Sequence, residues 1–182
     1  MQHKGTKTIE MVRLKLRKFE MSDSQDMFQN WANDPEVCRY LSWAPYGSLT
    51  AVQLKMKEWV EDYYSDTYRW AIELNSTRQV IGSISIFGAD DKKQACEVGY
   101  CIGTAWWGQG IMTEALRAVL HYMFYEVGFH RIQAVHDSRN VASGRVMQKV
   151  GMQYEGILRH ATISRDGIYV DYVVYAKLST DL

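Results

Sequence analysis

The sequence predicts a single α+β domain, a mixed central sheet of about seven strands flanked by helices. Three observations predict it. The 182 residues suit one sizeable core. The apolar pattern switches repeatedly between a period of two and a helical period. No repeat, linker or low-complexity segment breaks the series.

The elements follow in order. Residues 1–10, MQHKGTKTIE, hold neither an apolar stretch nor a cleavage site. They read as a frayed end rather than a secretion signal, so the domain is placed at 11–182. VRLKLRKF (12–19) alternates apolar and basic residues as a half-buried strand does. Ser22, with Gln25 three residues on, is a capping-box signal opening the helix SDSQDMFQNWAND. Pro35 starts a further short helical turn, PEVCRYL, and SWAPYGS is a loop. Ser48 or Thr50 caps a helix reaching to about Tyr63.

YRWAIEL, QVIGSISIF and CEVGYCIG then read as three strands of an antiparallel meander, joined by the turn-rich NSTR and GADDKK. From Gln109 to Val127 the apolar residues form one helical stripe, and Gly128 stands where a C-terminal glycine belongs. RIQAVHD is a strand; NVASGRVMQKV is a helix opened by Asn140 and closed by Gly151. A final hairpin turns at Asp166-Gly167.

Composition excludes several classes. Lys plus Arg equals Asp plus Glu at 21 each, so no overall field favours nucleic acid or a membrane surface. No apolar run approaches the roughly 20 residues of a membrane span. Cys38, Cys96 and Cys101 are odd in number and scattered; Cys96 and Cys101 on one strand would point to opposite faces. With no CxxC and no zinc spacing among the five histidines, no metal site is expected, and a reducing cytoplasm is the expected compartment.

The stretch WWGQGIMTEA (106–115) sets two glycines between a strand and a helix. A helix N-terminus leaves four N–H groups without intrahelical partners and carries about half a positive charge. Glycines let the backbone close on an anion without a Cβ in the way. The stretch is equally compatible with a tight strand-to-helix turn holding nothing. A P-loop is excluded by the missing GxxxxGK[ST], and a dinucleotide fingerprint fits poorly after antiparallel strands.

EVGYCIGTAWWGQGIMTEAL resembles the acetyl-CoA-binding motif of the GNAT superfamily of N-acetyltransferases, in the branch typified by the RimJ/RimL ribosomal-protein N-terminal acetyltransferases. RNVASGRVMQKVGMQYEGILR resembles that branch's second block, DGIYVDYVVYA its last strand pair, and WANDPEVCRYLSWAP its early helices. The blocks run in the family's order from about residue 11 to 178. The resemblance implies a GNAT-like domain with acetyl-CoA as cosubstrate and no metal.

It also implies roles. The N–H groups of Gly108, Gln109, Gly110, Ile111, Met112 and Thr113 would hold the pyrophosphate, and the backbone of Tyr100, Cys101, Ile102 and Gly103 the pantetheine arm. Trp106 and Trp107 would wall and pack the turn. Ala105 departs from the superfamily's wider pattern, which has Arg or Gln there. Asn140 would cap its helix and touch pantetheine. Arg145 and Lys149 could reach phosphates, or be solvated surface. Ser143 would stand near the CoA sulfur as hydrogen-bond or proton donor, or else simply aid the cap. Glu97, on the strand leading to the site, is the candidate base through water, against a structural role. His136 is an alternative base, more readily structural, and Tyr175 reads as core. Tyr40, Trp43 and Tyr46 cluster around SWAPYGS as substrate walls or as core or dimer packing.

The implied reaction is direct attack of an amine on the thioester in a ternary complex. An α-amine of pKa about 8 is roughly a tenth neutral at pH 7, a cost of about 1.4 kcal/mol; a lysine near 10.4 costs over ~4 kcal/mol. An N-terminal acceptor therefore tolerates a weak base. The expected acceptor is an α-amino group of a protein or peptide; a polyamine or antibiotic amine is the alternative, and a non-catalytic CoA-binding module a third reading. No Gly-x-Ser-x-Gly elbow supports a serine hydrolase. No direct nucleic-acid or membrane partner is expected, and a homodimer is compatible with the resemblance.

Overall fold

The computed structural model describes residues 1–181. Strands β1 (Ile9–Glu10), β2 (Leu14–Arg17), β3 (Arg69–Leu74), β4 (Val80–Asp90), β5 (Ala95–Ile102), β6 (Arg131–Asp137), β7 (Gln153–Ile163) and β8 (Tyr169–Leu178) form one sheet in the order β1-β2-β3-β4-β5-β6-β8-β7. Helices α1 (Ser24–Met27), α2 (Pro35–Cys38) and α3 (Leu49–Glu61) precede β3, α4 (Ile111–His121) follows β5, and α5 (Val141–Lys149) follows β6. The single-domain α+β fold with its mixed sheet is as expected. The strand beyond the expected count is the two-residue β1.

That strand belongs to a segment expected to fray. Instead the N-terminus is bonded to the body: Trp70 Nε1 donates to the Lys7 carbonyl at 2.7 Å, and the Tyr122 hydroxyl to that of Gly5 at 2.8 Å. Thr6 Oγ1 donates to the Thr67 carbonyl, and Thr6 is buried. Polar residues fail to fray here because they satisfy aromatic donors at the rim of the core, a pairing invisible in local sequence.

The first helical cap also differs. Glu20 and Asp23, not Ser22 and Gln25, form the reciprocal capping box. Asp23 is chosen because Arg17 at the end of β2 holds both its carboxylate oxygens at 2.8 Å. Elsewhere the local signals hold: Ser48 accepts from Ala51 N–H, Asn140 from Ser143 N–H, and Gly128, at φ +92°, closes the π-helical segment Tyr122–Val127 that continues α4. The Asp166-Gly167 turn lies in the five-residue connection 164–168, closed by Ser164 N–H to the Ile168 carbonyl at 2.8 Å, with Gly167 at φ +76°.

Two cores lie on the two faces of the sheet. Leu116, Val119, Met123 and Ile132 anchor the one under α4 and α5; Phe19, Trp31, Val52 and Met56 anchor the one under α1–α3. Cys96 packs into the first and Cys101 against the second, so the alternation separates them as expected. No helix among the described residues is long and apolar enough to cross a membrane.

The sheet positions the site through one irregularity. All neighbouring strands pair antiparallel except β5 and β6, which run parallel through only Ala95↔Arg131, Cys96↔Ile132 and Glu97↔Gln133. Beyond Glu97, β5 continues on β4 to Ile102 while β6 continues on β8 to Asp137. The two strands part, and the sheet opens.

Candidate active site

The antiparallel ladder decides what faces the opening. Gly103 N–H bonds to the Ile81 carbonyl, so odd-numbered positions of this stretch point their main-chain groups at β4. The N–H and C=O of Tyr100 and Ile102 therefore turn into the opening. One is already engaged: Trp107 Nε1 donates to the Ile102 carbonyl at 2.9 Å, although the Trp107 ring is half-exposed.

The turn after β5 is built on contact and on freedom. A Cβ on Gly103 would run into the Asn30 carbonyl and the Trp106 ring, so glycine is required there. Gly108 and Gly110 have φ of +73° and +74°, and a Cβ on either would meet no atom within 4 Å. The expected helix from Gln109 begins at Ile111, with Gly110 as its cap and no side chain capping it. The first bond of this turn is Glu114 N–H to the Gly110 carbonyl at 3.0 Å, which leaves the N–H groups of Ile111, Met112 and Thr113 without helical acceptors. An uncapped N-terminus above two open glycines suits an anion.

Across the opening stands the start of α5. Asn140 Oδ1 accepts from Ser143 N–H at 3.2 Å. Ser143 Oγ donates to the Tyr100 hydroxyl at 3.1 Å, and that hydroxyl donates to the Ser143 carbonyl at 2.9 Å. Burial pushes the Tyr100 phenol well above its usual range, so it stays protonated and remains a donor. The side chain of Tyr100, expected to contribute only backbone, is thus the partner of Ser143. The pair joins strand to helix over 43 residues of sequence, which no local motif announces.

A cavity of about 580 Å³ lies between these two helix starts. Of the residues expected to bind cofactor, Tyr100, Cys101, Ile102, Gly108, Gly110, Ile111, Met112, Thr113, Asn140 and Arg145 line it, together with Ser143 and Lys149. Gly103 and Gln109 do not. Gly103 is buried beneath Trp106, and the Gln109 side chain turns back to donate to the Ala105 carbonyl at 2.9 Å, bracing the turn.

Other expected residues are placed differently. Glu97 closes the β5–β6 ladder outside the cavity wall and accepts from Gln133 Nε2 at 2.9 Å; it is not brought to Ser143. Tyr40 lines the cavity. Trp43 and Tyr46 do not: their rings pack on each other at 5.5 Å and against the core under α1–α3, the packing alternative for those two. His136 Nδ1 donates to the Asp137 carbonyl at 2.8 Å, its ring stacks on Tyr175, and a Cβ on Gly144 would meet its Nε2 at 2.7 Å. It is a buried, packed histidine outside the cavity wall.

Residues that sequence reasoning passed over also line the cavity, among them Glu36, Arg39 and Arg139. A smaller cavity of about 190 Å³ adjoins it, sharing Arg39, Tyr40, Leu41 and Arg139 and reaching to the β7–β8 loop.

Residues 13–153 match the family model described as an acetyltransferase (GNAT) domain. The chain is 28% identical over 176 residues to the uncharacterized N-acetyltransferase p20 of Bacillus licheniformis, covering 96% of this chain and 97% of that relative. It is 32% identical over 169 residues to the uncharacterized N-acetyltransferase YoaA of Bacillus subtilis, covering 92% and 94%. It is 37% identical over 87 residues to the ribosomal protein uS5-alanine N-acetyltransferase of Escherichia coli, covering 48% and 44%. The fold superposes on a GNAT-family acetyltransferase of Bacillus anthracis with a TM-score of 0.84 at 24% identity, covering 96% and 99%.

Proposed function

The chain belongs to the GNAT acetyltransferase family, and from that premise we propose that it acetylates the α-amino group of a protein or peptide, with Ser143 and Glu97 as its proton-handling residues. The observation that carries the reading is the facing of two helix starts across one cavity, the uncapped N-terminus of α4 and the Asn140–Ser143–Tyr100 cluster.

The residues present fit acetyl-CoA. Cβ-free space over Gly108 and Gly110 leaves room for a diphosphate against the N–H groups of Ile111 to Thr113. The main-chain groups of Tyr100 and Ile102 offer hydrogen bonds to an amide-bearing arm, and Arg145 and Lys149 add positive charge on the facing wall. When bound, the cosubstrate supplies an acetyl group already activated as a thioester.

The chain's own groups do the rest. The Ser143 hydroxyl, which donates to Tyr100 in the structure, is the proposed hydrogen-bond or proton donor to the departing sulfur, a proton so given being returned from water. Tyr100 accepts from that hydroxyl and donates to the Ser143 carbonyl, and Asn140 fixes the backbone beneath it. Glu97 is the proposed acceptor of the amine proton through water, which an α-amine tolerates because it needs little help to become neutral. The partial-length match to a ribosomal-protein alanine N-acetyltransferase supports the α-amine over a lysine.

The test is release of CoA thiol with a panel of amines: a peptide with a free N-terminus, the same peptide N-blocked with one lysine, a polyamine and an aminoglycoside. Release with the free N-terminus alone supports the proposal. Release with a small amine instead moves the acceptor to metabolites or drugs. No turnover with acetyl-CoA still raising the melting temperature leaves a binding module.

A further inference from the structure

The smaller cavity lies where the loop after α2 meets the β7–β8 hairpin, and its charge is unbalanced. Arg39, Arg139 and Arg165 line it, against Asp137 and Asp166. Asp137 and Arg139 neutralise each other within the wall, Arg139 Nε and Nη2 holding the two carboxylate oxygens at 2.9 and 2.5 Å, which leaves Arg39 and Arg165 against Asp166. Arg39 has only a loose partner, Glu36 at 3.8 Å, with its side chain 62% exposed. Arg165 spends one Nη2 proton on the Cys38 carbonyl at 2.8 Å. The guanidiniums of Arg39 and Arg139 also lie over the Tyr40 ring, at 5.4 and 5.7 Å from its centroid. Planar guanidiniums held on an aromatic ring lose less freedom on binding an anion than mobile ones do.

Both Arg39 and Arg139 also line the main cavity, so an amine seated there would carry its neighbouring atoms towards the smaller one. We propose that the smaller cavity binds an anionic group of the acceptor, so that the favoured acceptor is an amine with a carboxylate close by, such as a peptide with an acidic side chain beside its free N-terminus. Guanidinium forks match carboxylate oxygens geometrically, and the volume suits one short acidic side chain. Polycationic amines such as polyamines and aminoglycosides are repelled by the same residues. The proposal rests on the acetyltransferase reading above and narrows its acceptor.

The test uses the full chain with acetyl-CoA and three peptides differing only in the second residue, Glu, Gln or Lys, with spermidine as a fourth acceptor. The expected kcat/KM order is Glu over Gln over Lys, with about tenfold or more between Glu and Lys at low ionic strength, shrinking in high salt. Arg165→Gln and Arg39→Gln should each lower the Glu-to-Gln ratio several-fold. The ratio is read within each variant, so a general loss of activity cancels. If Arg165→Gln disturbs the hairpin, the exposed Arg39 decides alone. Equal or better turnover of the Lys peptide or spermidine, or a ratio unchanged in both variants, overturns the proposal. No thiol release from any acceptor overturns the transferase reading, and this proposal with it.

Discussion

Replacing Gly110 by alanine separates the two meanings of the glycine turn. Gly110 sits at φ +74°, in the left-handed region, and a Cβ there would meet nothing within 4 Å. No clash contributes, so the loss of stability is backbone strain alone, about 1–2 kcal/mol. For a chain of this size each kcal/mol lowers the melting temperature by about 2–4 °C, so a fall of roughly 2–8 °C is expected. The new methyl also takes up open space in the cavity wall that an anion held by the N–H groups of Ile111 to Thr113 would use. Losing one charge-assisted hydrogen bond of about 1.5–3 kcal/mol weakens CoA binding by roughly tenfold to a hundredfold. Denaturant unfolding without ligand measures the strain, and calorimetric titration with CoA measures the cradle. Gly88→Ala is the control, since Gly88 has φ +56° and equally open space outside the cavity wall. Both variants should lose stability, and only Gly110→Ala should lose affinity. A CoA dissociation constant within about twofold of the parent in Gly110→Ala would mean that the turn joins strand to helix and holds nothing.

Four further outcomes are expected. Ser143→Ala should lower kcat by about a hundredfold while CoA affinity stays within about twofold; equal losses in steady-state rate and in titrated affinity would remove Ser143 from proton transfer. Tyr100→Phe deletes both hydrogen bonds to Ser143 and should cost about 1–3 kcal/mol. Its kcat should fall towards that of Ser143→Ala, and the double variant should be no slower, so additive losses would show that the two residues act separately. Deleting residues 1–8 strips acceptors from Trp70 and Tyr122 and should lower unfolding stability by about 2–4 kcal/mol; an unchanged urea midpoint would restore the view of a frayed end. Finally, burial pushes the Cys38 thiol up to about 11 and that of Cys96 to about 12, from 9.0. Both are largely protonated in either state below about pH 8, and between about 9 and those raised values chiefly the unfolded chain ionises. Stability should therefore fall as pH rises from about 9 towards 11–12, and replacing Cys96 by Ala should flatten that limb of the curve.

The succession of elements was legible because periodicity and caps act over a few residues. Asn140 caps α5 through a bond three residues long, and Gly128 ends the helix before β6 by its own φ. The same range explains what the sequence could not place. Ser22 and Gln25 have the right spacing for a capping box, yet Arg17 selects Asp23 from across the turn. Trp43 and Tyr46 look like groove residues in an aromatic loop, and the core under α1–α3 claims them. Glu97 shares the strand of the site, but the strand's last parallel pairing holds it beside Gln133.

The sequence by itself determined the glycine turn of the candidate anion site and the family, since glycines at 108 and 110, a helix start without a side-chain cap and the blocks around them are properties of contiguous residues. Only the tertiary structure decided how that site is completed. The parting of β5 and β6 after three pairs, the Tyr100 hydroxyl on Ser143 and the reach of Arg165 to Cys38 across 127 residues depend on strand register and on packing between distant segments. Local propensity carries no information about either. The cavity exists because separate elements converge on it, and its charge is set by which side chains they bring.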